Sequence, residues 1–112
     1  MRVGVGYDIH RTRRGGPLYL GGVEIPFELG LVGHSDGDCL IHAIIDALLG
    51  AAGEGDIGQH FPPSDKSLKG IRSTVLLKKV MEIIRKKGLR VIYVDSVIVE
   101  EKRKMAHRIL EM

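Results

Sequence analysis

Three segments of the chain have patterns typical of strands: two place apolar residues at every second position, and the third is largely apolar throughout. Residues 1–7 alternate valine and tyrosine with glycine, which predicts a first strand. Residues 17–27 predict a hairpin that turns at Gly21 and Gly22. Residues 89–99 are apolar on both faces and rich in β-branched side chains, which predicts a central strand.

Two other segments repeat apolar residues every three or four positions, as amphipathic helices do. The first predicted helix begins at a cap provided by Ser35 or Asp36 and runs to about Ala52. The second runs over residues 70–87, with cationic residues in its last turn. A helix with one apolar face needs a partner, so we expect both helices to pack on a common core.

The segments between these elements are polar or rich in glycine and proline, and we predict turns and loops at residues 11–16, 28–33 and 55–65. Residues 100–112 are charged and only weakly helical in pattern. The order of elements predicts one α/β domain of the α+β sandwich type. Its mixed sheet is covered by two main helices and is ferredoxin-like in character.

Composition indicates a globular protein of a reducing compartment. Of 112 residues, 44% are hydrophobic and 28% are charged. Cys39 is the one cysteine, which excludes an internal disulfide. The start of the chain lacks the pattern of a secretory signal, and no apolar run approaches the roughly 20 residues that span a bilayer. We therefore expect a cytoplasmic protein that does not enter a membrane.

Charge is divided unevenly along the chain. Residues 1–65 contain 4 Lys/Arg against 9 Asp/Glu, whereas residues 66–112 contain 13 against 5. An acidic half that holds a cation beside a basic half suits an enzyme of phosphorylated substrates. The same distribution suits a nucleic-acid-binding module, so charge alone does not choose between them.

The first candidate site combines Asp8, His10 and His42. Asp8 and His10 are two residues apart at the end of the first predicted strand and therefore share a face, while His42 lies on the flank of the first helix. One carboxylate and two imidazoles form a ligand set typical of catalytic zinc. Taken alone, such residues more often serve turns and caps. Asp38 and Asp46, one helical turn on either side of His42, are candidates to orient its second ring nitrogen.

A second candidate site is an anion pocket where the first helix begins. His34 and Ser35 precede the helix, and a helix N-terminus offers free N–H groups to a phosphate. The loop from Gly55 to Gly58 allows the backbone to approach a ligand closely. An ordinary cap and an ordinary tight turn are the more frequent roles of such residues.

The order and spacing of three motifs make the pattern specific: Gly6-Tyr7-Asp8-Ile9-His10-Arg11, then His34-Ser35-Asp36-Gly37-Asp38 with His42, and then Gly55-Asp56-Ile57-Gly58-Gln59-His60-Phe61-Pro62. Together they resemble the 2-C-methyl-D-erythritol 2,4-cyclodiphosphate synthase family of non-mevalonate isoprenoid biosynthesis. The resemblance covers residues 1 to about 105. It implies one cyclodiphosphate-synthase-like domain over residues 1–112.

The resemblance also implies a role for each matching residue. Asp8, His10 and His42 match the ligands of Zn²⁺ or another divalent cation. His34 matches a catalytic residue that stabilises the transition state. The implied substrate-binding positions are Ser35 at the phosphates; Asp56, Ile57, Gly58, Phe61, Pro62 and Asp65 around the methylerythritol; and Lys104 and Met105 at the cytidine diphosphate.

The implied reaction cyclises 4-diphosphocytidyl-2-C-methyl-D-erythritol 2-phosphate and releases CMP. A second divalent cation, Mg²⁺ or Mn²⁺, bridges the phosphates in the family, which works as a homotrimer with active sites between subunits. Family members continue beyond the position of Met112, and the ligand of the second cation lies in that continuation. We therefore expect a chain ending at Met112 to hold zinc but to turn over poorly.

Three other functions stay open on sequence alone. A catalytically impaired, metal-binding remnant of the enzyme has the same ligands, and so does a metal-dependent phosphohydrolase, which would release inorganic phosphate. A nucleic-acid-binding module agrees with the pI of about 9.2 but has few aromatic residues for base stacking. Binding to oligonucleotides that falls steeply with salt would favour that third function.

Overall fold

The structure is a computed structural model that describes residues 1–10, 12–14, 18–25, 29–31 and 37–99. Helices and short strands alternate with irregular segments in this part of the chain, which confirms the predicted α+β fold class. The elements are β1 (Thr12–Arg14), β2 (Leu18–Leu20), β3 (Val23–Ile25), β4 (Leu29–Leu31), α1 (Cys39–Ala52), α2 (Ile57–His60), a 3₁₀ turn (Lys66–Leu68) and α3 (Ser73–Lys86).

Strands β2 and β3 form the predicted antiparallel hairpin. Leu20 pairs with Val23 across a two-residue loop, and both loop residues, Gly21 and Gly22, have positive φ. Glycine adopts this conformation without the steric cost of a Cβ, which is why a Gly-Gly pair favours a tight hairpin. Leu18 and Leu20 point to the same side of β2 and are buried.

Strands β1 and β4 form a second antiparallel pair, with Arg13 opposite Gly30. The predictions of a turn at residues 11–16 and a loop at 28–33 were therefore wrong for the residues that pair. Strands of three residues are too short to produce a recognisable alternation. Their pairing depends on backbone hydrogen bonds between segments that are distant in sequence, and no local pattern encodes it.

Helix α1 begins two to three residues later than the predicted caps Asp36 and Ser35 imply. Its N-cap is Asp38, whose carboxylate accepts a hydrogen bond from the Ile41 N–H at 3.1 Å. The same carboxylate accepts bonds from both amides of the β2–β3 turn, at 3.0 and 2.7 Å. Asp38 is fully buried, and it ties the hairpin to the start of α1.

Helices α1 and α3 pack against each other around the main core, as their apolar faces predict. Burying these faces is the dominant favourable contribution to stability. The buried residues of this core are Ile41, Ile45, Leu49, Ala52, Leu68, Leu76, Val80 and Ile84.

The segment 55–65, predicted to be a loop, contains one helical turn, α2, and leads into the 3₁₀ turn. Each turn begins at an aspartate that satisfies a free backbone N–H. Asp56 accepts a bond from the Gln59 N–H at 2.9 Å, and Asp65 accepts one from the Ser67 N–H at 3.0 Å. Local capping of this kind stabilises turns that are too short to show a helical apolar repeat.

The strands predicted at residues 1–7 and 89–99 are not strands in the structure, and both sheets of the described part are two-stranded antiparallel pairs rather than one mixed sheet. Most apolar side chains of residues 1–7 and 89–99 face solvent: Val5 is 89% exposed and Val99 is 90% exposed. Alternation and β-branching indicate residues that suit a pleated surface, but a ladder also needs a partner strand. None of the described helices is long and apolar enough to cross a membrane.

Candidate metal centre

The N-terminal segment brings Asp8 and His10 against helix α1. Its glycines face the helix so closely that a Cβ built on Gly6 would lie 1.8 Å from the carbonyl oxygen of Ala43. Only a residue without a side chain can approach a helix backbone at this distance. The glycine spacing therefore places the Asp8 end of the segment beside His42, which lies on α1.

Asp8, His10 and His42, the three predicted ligands, meet in one place. The Oδ2 atom of Asp8 lies 2.8 Å from Nδ1 of His10 and 3.4 Å from Nδ1 of His42. Each side chain offers a ligand atom, and these atoms all lie within 4.8 Å of one another. The two imidazole rings are 5.2 Å apart between centroids and tilted by 57°. Residues 8, 10 and 42 could therefore hold one metal ion.

The electrostatics of the cluster keep Asp8 ionised. Burial raises the pKa of its carboxyl, but hydrogen bonds to His10 and His42 and the charges of the same imidazoles outweigh that effect. The net result lowers the pKa of Asp8 to about 2. At neutral pH the site therefore presents a carboxylate to a cation.

The chemistry of the donor set fits a divalent cation. Oδ2 of Asp8 and Nδ1 of His10 face each other and have almost no solvent-accessible area. One carboxylate oxygen and two imidazole nitrogens are the donors that catalytic metal sites commonly combine, leaving a further position for substrate. The cluster is thus chemically complete on the protein's side for a three-ligand site.

A cavity of about 210 Å³ opens beside the three ligands. Asp8 is the one acidic residue among its described lining residues. Apart from Asp8, His10 and His42, the described wall is apolar and consists of Ile57, Gly58, Phe61, Pro63, Leu68, Ile71 and Leu76. A wall of this kind suits a carbon skeleton whose charged groups face the metal.

Sequence reasoning named part of this wall, namely Ile57, Gly58 and Phe61. It missed the part contributed by the 3₁₀ turn and by the approach to α3. Leu68 and Leu76 also belong to the main core, so their sequence signal is the same as that of any buried leucine. They line a cavity only because α2 packs against α1 beside them.

The structure places the other predicted substrate residues as follows. The carboxylates of Asp56 and Asp65 cap their short helical turns, and both residues are exposed and are not among the described lining residues of the cavity. The carbonyl oxygen of Pro62 accepts a bond from the Asp65 N–H at 3.0 Å. His34, Ser35, Lys104 and Met105 lie outside the described residues.

His42 has a hydrogen-bond partner that the sequence did not reveal. Its Nε2 atom lies 2.8 Å from the hydroxyl oxygen of Ser73, the first residue of α3. The carboxylate of Asp46, one of the two predicted partners of this ring, accepts the Ile57 N–H at 2.8 Å. Asp38, the other candidate, is the buried cap of α1. No local signal links residues 42 and 73.

Cys39 lies beside the metal ligands but is not a nucleophile. Its S–H group donates to the backbone carbonyl oxygen of Asp8 at 2.9 Å. Burial, followed by the negative charge of Asp8, raises the pKa of the thiol to about 12. The thiol therefore stays protonated at neutral pH, where a reactive cysteine would be a thiolate.

The fold and the site define an α+β protein with a candidate metal site, whose three possible ligands come from an N-terminal segment and the following helix and border a small apolar cavity. The chain belongs to the YgbB family, whose model matches residues 1–112.

Curated relatives agree with this assignment. The chain is 58% identical over 112 residues to a 2-C-methyl-D-erythritol 2,4-cyclodiphosphate synthase of Syntrophomonas wolfei, covering all of this chain and 71% of the relative. It is 53% identical over 112 residues to the enzyme of the same name from Clostridium botulinum strain Okra, again covering all of this chain and 72% of the relative.

A solved structure of a 2C-methyl-D-erythritol-2,4-cyclodiphosphate synthase in a CDP-bound form matches with a TM-score of 0.72 and 48% identity. The match covers 78% of this chain and 58% of the solved one. The likeness at this identity extends to sequence as well as fold.

Proposed function

We propose that this protein converts 4-diphosphocytidyl-2-C-methyl-D-erythritol 2-phosphate into 2-C-methyl-D-erythritol 2,4-cyclodiphosphate and CMP, in non-mevalonate isoprenoid biosynthesis. Membership of the YgbB family supports the reaction. The observation that carries the proposal is the meeting of Asp8, His10 and His42 in the wall of a largely apolar cavity. The proposal treats residues 1–112 as one synthase-like domain, supported by the core that α1 and α3 share.

The chemistry is an intramolecular phosphoryl transfer. An oxygen of the 2-phosphate forms a bond to the β-phosphorus, the bond from that phosphorus to the bridging oxygen breaks, and its electron pair leaves with CMP. Both reacting groups are anionic, so neutralising charge and aligning the groups are the main tasks of the protein. Zn²⁺ bound by Asp8, His10 and His42 would act as a Lewis acid on the phosphates.

The chain's own residues bind and orient the substrate. Ile57, Gly58 and Phe61 form an apolar wall on which the methylerythritol carbons pack, which holds the 2-phosphate near its target and excludes water. In the proposal, the methylerythritol part of the substrate is also bound by Asp56, Pro62 and Asp65. We assign His34 to the stabilisation of the transition state and Ser35 to the binding of a phosphate. Lys104 and Met105 are assigned to the binding of the cytidine diphosphate. Mg²⁺ or Mn²⁺ is the proposed second cation.

The apolar wall favours cyclisation over the alternative phosphohydrolase activity. A hydrolase must place a water molecule for attack, and this usually requires polar groups that orient it. The described lining residues other than the three ligands contribute no charged side chain to the cavity. The proposed setting is the cytoplasm, which agrees with Cys39 as the one cysteine of the sequence.

An assay of the two products tests the proposal. The zinc-loaded protein is incubated with the cytidine diphosphate substrate and Mg²⁺, and ³¹P NMR follows the products. We expect the cyclic diphosphate and CMP in equal amounts, and at least about 100-fold slower release of CMP in Asp8→Asn, since even outer partners of metal ligands contribute 10- to 100-fold.

Glu82→Gln is the matched control, because it neutralises an exposed carboxylate of α3 away from the cavity. It should release CMP at the unaltered rate. Inorganic phosphate as the product would instead identify a phosphohydrolase. Undiminished CMP release by Asp8→Asn would contradict the role given to the metal cluster.

We also propose that the protein assembles as a homotrimer with active sites between subunits. The many exposed large apolar side chains of residues 1–9 and 92–99 support this, since apolar surface of this kind becomes buried when subunits associate. Sedimentation equilibrium should give three times the chain mass of 12.3 kDa. Val97→Glu, at an 84% exposed position, should give single chains, whereas Val75→Glu on α3 should not. A wild-type mass of one chain would refute the trimer.

A further inference from the structure

We propose that Ser73 is a positioning residue for the metal ligand His42. The two ring nitrogens of His42 face different groups: Nδ1 lies 3.4 Å from Asp8 Oδ2, and Nε2 lies 2.8 Å from the Ser73 hydroxyl oxygen. Nδ1 is therefore the nitrogen turned towards the cluster. The inference rests on the proposed metal site but not on the reaction carried out there.

A hydroxyl at Nε2 controls both the direction and the tautomer of the ring. When Nδ1 offers its lone pair to a cation, the neutral imidazole carries its proton on Nε2, and this N–H needs an acceptor. The Ser73 oxygen is at hydrogen-bond distance and accepts it. Partners of this kind fix the orientation of a ligating histidine and raise its basicity.

Burial makes this hydrogen bond effective. Ser73 has no solvent exposure, and the side chain of His42 is only 11% exposed. Water competes poorly for either group, so the ring loses its outer partner if the hydroxyl is removed. The imidazole can then rotate or shift its proton, and fewer molecules present Nδ1 to the cation.

The position of Ser73 is itself held by contacts outside the metal cluster. The guanidinium of Arg72 donates to the carbonyl oxygen of Gly22 at 2.9 Å and lies 4.2 Å from the centre of the Tyr19 ring. These contacts anchor the start of α3 to the β2–β3 hairpin. The hydroxyl is therefore presented by a fixed backbone rather than by a mobile loop.

A neutral partner suits a site for anions. Many ligating histidines donate to a carboxylate, which adds negative charge next to the metal. Here Asp46 is occupied with the Ile57 N–H, and the hydroxyl of Ser73 orients His42 without adding charge. A divalent cation with Asp8 as the one acidic residue of the described lining keeps a net positive charge, which attracts phosphate groups.

The test uses Ser73→Ala and Ser73→Thr in the complete chain, with Zn²⁺ affinity measured by competition with a chromophoric chelator. We expect Ser73→Ala to bind Zn²⁺ about 10- to 100-fold more weakly. Ser73→Thr keeps the hydroxyl and should recover most of the affinity. Ser67→Ala removes an exposed serine hydroxyl that bonds to Asp65 and serves as the matched control, with unchanged affinity.

A second readout separates positioning from a general structural effect. In the Zn²⁺-loaded protein labelled with ¹⁵N-histidine, the Nε2 proton of His42 should resonate downfield and exchange slowly, and Ser73→Ala should lose this signal while keeping its helical circular dichroism. Equal affinity and an unchanged Nε2 signal in Ser73→Ala would overturn the inference alone. Failure of the wild-type protein to bind Zn²⁺ would overturn the proposed metal site and this inference with it.

Discussion

Gly6→Ala should abolish metal binding and lower the free energy of unfolding by about 1–3 kcal/mol or more, the usual cost of overpacking. The added Cβ would lie 1.8 Å from the Ala43 carbonyl oxygen, a backbone atom of α1 that cannot rotate away. The N-terminal segment must then move off the helix and carry Asp8 and His10 with it. Urea denaturation and Zn²⁺ titration of the same preparations measure the two effects.

Gly50→Ala is the matched control, because the same substitution at this position of α1 places the new Cβ more than 4 Å from every described atom outside the adjoining backbone of the helix. Alanine is the better helix former, so this variant should gain about 0.5–1 kcal/mol and bind Zn²⁺ normally. Wild-type stability and affinity in Gly6→Ala would show that the segment does not depend on close contact with α1.

Asp38→Ala should lower the free energy of unfolding by at least about 3 kcal/mol, since each buried donor left unsatisfied costs about 1–3 kcal/mol. Three backbone N–H groups lose their acceptor, those of Gly21, Gly22 and Ile41. The hairpin turn and the first turn of α1 both loosen, and His42 lies one turn further along. Urea denaturation of the metal-free protein measures the loss.

Asp56→Ala removes a second aspartate cap, which is exposed rather than buried. Asp56 is exposed and accepts one backbone bond, from Gln59. Water replaces that acceptor easily, so the loss should be about 1 kcal/mol or less. Equal losses in Asp38→Ala and Asp56→Ala would mean that burial and the link to the hairpin contribute nothing to the role of Asp38.

Asp38 and Asp56 also differ in how far local sequence predicts their roles as caps. Both caps belong to residue types that favour helix starts, yet sequence reasoning placed the α1 cap at Ser35 or Asp36. The choice of Asp38 depends on the two hairpin amides that share its carboxylate, and these lie 16 and 17 residues away in the chain. A capping preference is local, whereas the competition between neighbouring caps is decided by tertiary contacts.

In the candidate site, too, some residues can be predicted from local sequence and others cannot. Asp8, His10 and His42 were predicted because each belongs to a motif of fixed spacing. Ser73 was missed, because its bond to His42 joins residues 31 positions apart. Likewise, Leu68 and Leu76 are indistinguishable in sequence from other core leucines until α2 packs beside them.

The sequence alone predicts both long helices, the Gly21-Gly22 hairpin, the three candidate metal ligands and the family, because these depend on spacings within a few residues or on motifs. Tertiary structure alone decided the β1–β4 pairing, the cap of α1, the apolar wall and the partner of His42. The physical reason is that a local pattern limits the conformation of one segment, whereas hydrogen bonds and burial between distant segments exist only once the chain has packed.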